Sequence, residues 1–99
     1  MNDIGSLRKR IDTIDEQLVR LLNERSSYAL AIGRLKEHAR EPIYQPAREA
    51  EVLEHVRSIN GGPLDNAAMT RLFERVIDEA RRLERLAAND RIGGTPEGA

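Results

Sequence analysis

The sequence contains no cysteine and no tryptophan, and aromatic residues make up 3% of its 99 positions. The chain can therefore form no disulfide, no thiol nucleophile and no cysteine-ligated metal site. At this length, and with so few aromatic side chains, we expect one domain with a modest aliphatic core. No apolar run approaches the ~18 residues of a membrane span, and the start of the chain lacks the features of a secretion signal. We expect a soluble, cytoplasmic protein without a membrane partner.

An excess of one charge is also missing, because 16 basic and 17 acidic residues leave a net charge of −1. So weak an overall field does not favour nucleic acid as a partner, and any site for an anion must be local. His38 and His55 lack the second histidine or paired carboxylate that a metal site or a general base needs. We expect neither a metal nor a cofactor.

What the sequence does contain is helical periodicity. A first, very long helix is predicted from Ser6 to about Arg40, with Asp3 or Ser6 as its cap. The residue before Pro42 is pushed out of the helical region, which ends the helix there.

Two shorter helices and a tail complete the chain. The second helix is predicted from Pro46 to about Asn60, and Asp65 caps the third. Residues 1–88 are predicted to form the helical domain, and the aperiodic residues 89–99 a disordered tail. No segment has the period of a strand, so the predicted fold class is all-α.

The helix lengths indicate a dimer. At 1.5 Å per residue the first helix is about 50 Å long, whereas the other two are about 20 Å and 35 Å. The shorter helices cannot cover both ends of the long one. We therefore expect an intertwined, two-fold homodimer in which the overhanging end of each long helix packs on the partner.

Two cations interrupt the apolar face of the first helix. This face is formed by Ile4, Leu7, Ile11, Ile14, Leu18, Leu21, Ile32 and Leu35. The same register places Arg25 on it, and Lys36 follows eleven residues, or about three turns, later. A lone arginine there could extend its charged end to water or pair with a nearby glutamate. Two aligned cations favour a buried anion site instead.

Further polar residues point inward on the other helices. Glu49 falls on the apolar stripe of the second helix, with Arg48 at the edge of that stripe. Glu84 falls on the apolar stripe of the third helix, although a glutamate near a helix end often reaches water. Arg8 is a further candidate. The remaining arginines of the third helix are predicted to form a solvated face: Arg71, Arg75, Arg81, Arg82 and Arg85. The inward set suits a small, multiply anionic ligand held by arginine contacts.

Four segments resemble the all-helical chorismate mutases, whose domains also occur fused to prephenate dehydratase. In chain order they are LRKRIDTIDEQLVRLLNER, IGRLK, PIYQPAREAEVL and GPLDNAAMTRLF, and the resemblance covers roughly residues 6–86. It implies that Arg25 binds a substrate carboxylate and that Arg8 reaches into the partner's site. It also implies that Lys36 contacts the ether oxygen and a carboxylate.

The resemblance assigns roles to the other two helices as well. Arg48 and Glu49 match an Arg-Glu pair whose glutamate takes the substrate hydroxyl, and Glu84 matches the position that donates a hydrogen bond to the ether oxygen. Two substrate-binding positions depart from well-known bacterial members, with Gln45 in place of Asp and Ala80 in place of Ser. The Ala80 change removes one possible carboxylate contact.

The implied activity is the rearrangement of chorismate to prephenate in aromatic amino acid biosynthesis. Lys36, Glu84 and Arg25 are the predicted catalytic residues, and the reaction requires no cofactor or covalent intermediate. The alternatives are an isochorismate pyruvate lyase, an aminodeoxychorismate mutase or a non-catalytic dimerisation module. The sequence leaves open whether the chain is free-standing or part of a bifunctional enzyme, and whether a ligand regulates it.

Overall fold

The computed structural model describes residues 3–93, with the side chains of residues 3–90, and contains three helices. Helix α1 spans Ile4–Ala39, α2 spans Pro46–Ile59 and α3 spans Asn66–Gly93. No strand occurs among the described residues. The predicted all-α class with one very long helix is confirmed. None of these three helices is both long enough and apolar enough to cross a membrane.

Local hydrogen bonds define the two ends of α1. Asp3 is the cap, because its Oδ1 accepts a hydrogen bond of 2.7 Å from the backbone N–H of Ser6. This bond holds the pKa of the Asp3 carboxyl below its ordinary value. At the other end Arg40 adopts a left-handed conformation, and the N–H of Glu41 donates to the carbonyl of Lys36 at 2.8 Å. The chain therefore reverses direction directly after α1.

The starts of α2 and α3 follow the predicted signals. Pro46 is the first residue of α2, where its missing N–H costs no hydrogen bond. Asp65 precedes α3, and its Oδ1 accepts from the N–H of Ala68 at 2.8 Å. The predicted end of the third helix is wrong, since α3 continues beyond Asn89 to Gly93. Residues 89–93 are helical rather than disordered, and residues 94–99 lie outside the described part of the chain.

Helix α3 packs against both α1 and α2. The buried core at these contacts is small. It contains Val56, Ile77 and Ala88, together with Gly33 and one charged residue, Glu84. An acidic side chain at the centre of so small a core requires a compensating partner or ligand.

Half of α1 extends away from the rest of the molecule. Every residue from 7 to 24 is exposed, and we call this segment the N-terminal arm. The Cα radius of gyration is 17.5 Å, against about 13 Å for a compact domain of this length. The arm exposes large apolar side chains along its length: Leu7, Ile11, Ile14, Leu18, Val19, Leu21 and Leu22.

Candidate functional site

A cleft of about 520 Å³ lies where the second half of α1 meets the beginning of α2 and the middle of α3. Its lining combines aliphatic side chains with six charged ones. The lining residues are Arg25, Tyr28, Ala29, Ile32, Lys36, Ile43, Gln45, Arg48, Glu49, Val52, Ile77, Ala80, Arg81 and Glu84.

Helix α1 supplies one wall through residues three or four positions apart. Arg25, Tyr28, Ala29, Ile32 and Lys36 lie on one face because this spacing approximates whole helical turns. Arg25 is half-buried, and its side chain forms no hydrogen bond or ion pair within the described part of the chain. It is available to a ligand in the cleft.

Lys36 has two partners from other parts of the chain. Its Nζ lies 3.6 Å from Oε2 of Glu84 and donates a hydrogen bond of 3.2 Å to the carbonyl of Ile43. Ile43 is within reach because the chain reverses after Arg40 and passes back beside the last turns of α1. The ammonium group is thereby held at the cleft wall, with its side chain 17% exposed.

Glu84 is the most deeply buried charged residue of the described chain, with 8% exposure. Burial raises the pKa of its carboxyl above the ordinary value, while the positive charge of the nearby Lys36 partly opposes that rise. The buried Oε2 has no hydrogen-bond partner among the described residues, although Lys36 lies nearby. This burial shifts the carboxyl towards its protonated form relative to a carboxyl in water, and in that form it could donate a hydrogen bond to a ligand.

The opposite wall contains an ion pair between α2 and α3. Nε of Arg81 lies 3.0 Å from Oε2 of Glu49, and both side chains are about one-quarter exposed. The guanidinium of Arg81 also lies 4.9 Å from the ring centroid of Tyr44, and its Nη2 bonds Oδ1 of Asp78 at 2.7 Å. The prediction that Arg81 belongs to a solvated face is therefore wrong.

A signal for Arg81 was present in the sequence. It follows the buried Ile77 by four residues and precedes Glu84 by three, which places it on the inward face of α3. The spacing alone does not distinguish Arg81 from the exposed arginines beside it, because arginine is mostly found at protein surfaces. Arg71, Arg75, Arg82 and Arg85 are exposed, in agreement with their prediction.

The remaining predicted residues differ in their relation to the cleft. Gln45 and Ala80 line it, and the Gln45 amide donates to the carbonyl of Pro42 at 3.1 Å. Arg48 also lines it, but its guanidinium bonds Glu51 at 3.3 Å and is 71% exposed. A ligand would compete with an exposed pair of this kind at little cost.

Arg8 does not line the cleft of its own chain. It lies in the exposed N-terminal arm, seventeen residues or about 25 Å along the helix axis from Arg25. Any contact of Arg8 with a site of this kind would have to be made in another copy of the chain.

The cleft is suited to binding and electrostatic stabilisation. Arg25, Lys36 and Arg48 can face a ligand with two carboxylates, while Glu49 and Glu84 can interact with its hydroxyl or ether oxygens. In the described residues no group of three or more histidine, aspartate or glutamate side chains is arranged to hold a metal ion.

Residues 7–85 match the family model described as chorismate mutase type II. The chain belongs to this family. The matched residues include α1 from the arm onwards, α2 and most of α3, and therefore every residue that lines the cleft.

Solved structures of chorismate mutases have the same fold. The enzyme from Thermus thermophilus (form II) superposes with a TM-score of 0.81 at 34% identity, covering 83% of this chain and 93% of that one. Chorismate mutase from Helicobacter pylori in complex with prephenate also gives a TM-score of 0.81, at 30% identity, covering 88% of this chain and 94% of that one.

Among curated proteins, the chain is similar to the bifunctional chorismate mutase/prephenate dehydratase of Neisseria gonorrhoeae. The identity is 45% over 78 residues, which cover 79% of this chain and 21% of that protein. The chain spans between 21% and 25% of the length of the first four bifunctional relatives it matches.

Proposed function

We propose that this chain is a chorismate mutase that rearranges chorismate to prephenate, as part of aromatic amino acid biosynthesis. The observation that carries the proposal is the pairing of Lys36 with the buried Glu84 at the wall of a cleft that also holds the unpaired Arg25. The family match and the relative solved with prephenate support this substrate class.

The reaction is a rearrangement within one molecule. A carbon–oxygen bond to the ring breaks while a carbon–carbon bond to the enolpyruvyl side chain forms, so no electron donor or proton acceptor is required. The enzyme must hold the side chain over the ring and stabilise the negative charge that develops on the ether oxygen. Both tasks can be met by fixed cations and hydrogen-bond donors.

Lys36 and Glu84 are suited to the ether oxygen. The Lys36 ammonium is held by Ile43 and Glu84, so little reorganisation is needed as charge develops. Glu84 can donate to the same oxygen only when protonated, because an ionised carboxylate has no proton and would repel the developing charge. Its burial favours the protonated form.

The other charged groups are suited to orienting the substrate. Arg25 and Arg48 present guanidinium groups that can take a carboxylate through two hydrogen bonds. Glu49 is an acceptor for the ring hydroxyl. Gln45 and Ala80 complete the wall, and a serine in place of Ala80 would supply one more donor than this chain has.

A homodimer is the assembly that the N-terminal arm favours. Its apolar residues are exposed over about five turns, and an apolar surface of this extent is typical of an interface. A two-fold dimer would cover both arms at once and bring Arg8 of one copy towards the cleft of the other. A cytoplasmic location remains a prediction from the sequence.

The test is to incubate the purified chain with chorismate and, separately, with isochorismate. Loss of chorismate absorbance with formation of prephenate is expected. Pyruvate released from isochorismate would identify a lyase instead, and conversion of neither compound would favour a non-catalytic helical module. An Arg25→Ala variant, which removes the unpaired cation, should lose most of the activity that the wild-type chain shows.

A further inference from the structure

We propose that Arg81 is a positioning residue that offsets the charge of Glu49 and so makes the site prefer a neutral hydroxyl to an ammonium group on its ligand. The inference rests on the proposed function, in which Glu49 accepts a hydrogen bond from the ring hydroxyl. The inference concerns the specificity of the cleft for the ring substituent of its ligand. It assigns to Arg81 a role distinct from that of the cations that bind substrate carboxylates.

Three contacts hold the Arg81 guanidinium in place. Nε lies 3.0 Å from Oε2 of Glu49 of α2, an ion pair without a hydrogen bond, and Nη2 bonds Oδ1 of Asp78 one turn earlier on α3 at 2.7 Å. The ring of Tyr44, in the connector between α1 and α2, lies 4.9 Å from the guanidinium carbon. The guanidinium group therefore contacts three parts of the chain. Its planar shape and fixed donor directions allow it to make these contacts at the same time.

These contacts favour positioning over direct binding of a substrate carboxylate. Two of the three guanidinium nitrogens already lie within 3.0 Å of a carboxylate oxygen, so much of the charge of Arg81 is compensated within the protein. Arg25 has no such partner in the described chain, and it is the better site for a substrate carboxylate.

The charge of Glu49 explains the effect on specificity. An isolated carboxylate would attract an ammonium group more strongly than a hydroxyl, because the first interaction is between full charges. A guanidinium 3.0 Å away weakens that preference, while the lone pairs that do not face it can still accept from a hydroxyl. The carboxylate of Asp78 is 57% exposed, so water screens its influence on the cleft.

The test compares two ligands that differ at the ring substituent, chorismate and 4-amino-4-deoxychorismate, on three variants. Arg81→Leu removes the positive charge, and Arg81→Lys keeps the charge but lacks the planar guanidinium. Arg82→Leu removes a neighbouring exposed arginine and is the matched control. For each variant the Kd of both ligands is measured by calorimetry, kcat/KM is measured where turnover occurs, and thermal unfolding is used to verify folding.

In Arg81→Leu, the preference for the hydroxyl ligand over the amino ligand should fall about tenfold. Arg81→Lys should retain most of the wild-type preference, and Arg82→Leu all of it. Equal losses for both ligands, or no change in their ratio, would overturn the proposal. If Arg81→Leu does not fold, Arg81→Lys provides the test. Complete loss of its preference for the hydroxyl ligand would overturn the proposal, because the positive charge is still present.

The two proposals fail in different ways. A wild-type chain that binds chorismate without converting it contradicts the proposed function, while the ratio of Kd values still tests Arg81. A wild-type chain that binds neither ligand would overturn both.

Discussion

The carboxyl of Glu84 occupies the space that a side chain at Gly33 would need. A β-carbon on Gly33 would lie 3.0 Å from Oε2 and 3.3 Å from Cγ of Glu84. Gly33 is buried one turn before Lys36 on α1, so the same face of the helix admits the carboxyl and supplies its cation. The glycine is thus part of the geometry that brings these two groups together.

Gly33→Ala is expected to lower kcat at least tenfold while the protein stays folded. Alanine is the better helix former by about 1 kcal/mol, which offsets part of the cost of crowding Glu84. The added methyl group should displace the carboxyl from Lys36. Thermal unfolding and steady-state kinetics measure the two effects separately. Gly5→Ala is the control, since its β-carbon would meet only Asp3 Oδ1 at 3.6 Å, and equal kcat values for the two variants would contradict the role of Gly33.

The activity is expected to be highest at mildly acidic pH. Burial raises the pKa of Glu84, and only its protonated form can donate to the ether oxygen, so kcat should decline as the pH rises through that pKa. Glu84→Gln keeps a donor at every pH and should flatten the profile. The measurement is kcat between pH 4 and pH 9 for both proteins. The same decline in both would mean that another group titrates.

The free energy of unfolding should also depend on pH through Glu84. Because folding raises the pKa of Glu84, the folded state binds this proton more tightly than the unfolded state. The free energy of unfolding contributed by Glu84 therefore decreases as the pH rises from the ordinary glutamate range to the raised pKa. Urea unfolding across this range should show a smaller pH dependence for Glu84→Gln than for the wild type. An identical dependence would argue against a perturbed carboxyl.

Lys36→Ala is expected to lower kcat by about 10²–10³-fold, the range typical of losing one preorganised group that stabilises developing charge. The variant also leaves the buried Glu84 without its cation. Lys9→Ala is the matched control, because Lys9 is the other lysine of the chain and is exposed on α1. Kinetics with chorismate test the prediction, which fails if the two lysine variants are equally active.

A charge on the apolar face of the N-terminal arm should dissociate the dimer. Leu18→Asp places a carboxylate where we expect the partner to pack, and burying it there would cost several kcal/mol. Asn23→Asp adds the same charge on the opposite side of the helix. Sedimentation equilibrium should find a monomer for the first variant and a dimer for the second. A wild-type chain that sediments as a monomer would refute the homodimer.

Much of the architecture follows from local sequence signals. Pro42 and Pro46 bracket the connector, Asp65 caps the start of α3, and the three-and-four spacing of apolar residues identifies the helices. The same periodicity identified Arg25 and Lys36 as neighbours on one face, because helical spacing relates residues close in sequence. The end of α3 does not follow from periodicity, because the five residues 89–93 are helical although they continue no apolar stripe.

The helical period is therefore enough to identify most of the side chains on the inner face of each helix, including Arg25, Lys36 and Glu84. Which of these side chains meet depends on how the helices cross, and the crossing of two helices is set by packing along their whole length and not by the period of either. Lys36 pairs with Glu84, forty-eight residues later, and Glu49 pairs with Arg81, for which the sequence predicts a solvated position. The space beside Gly33 that admits Glu84 likewise exists only once α1 and α3 are packed together.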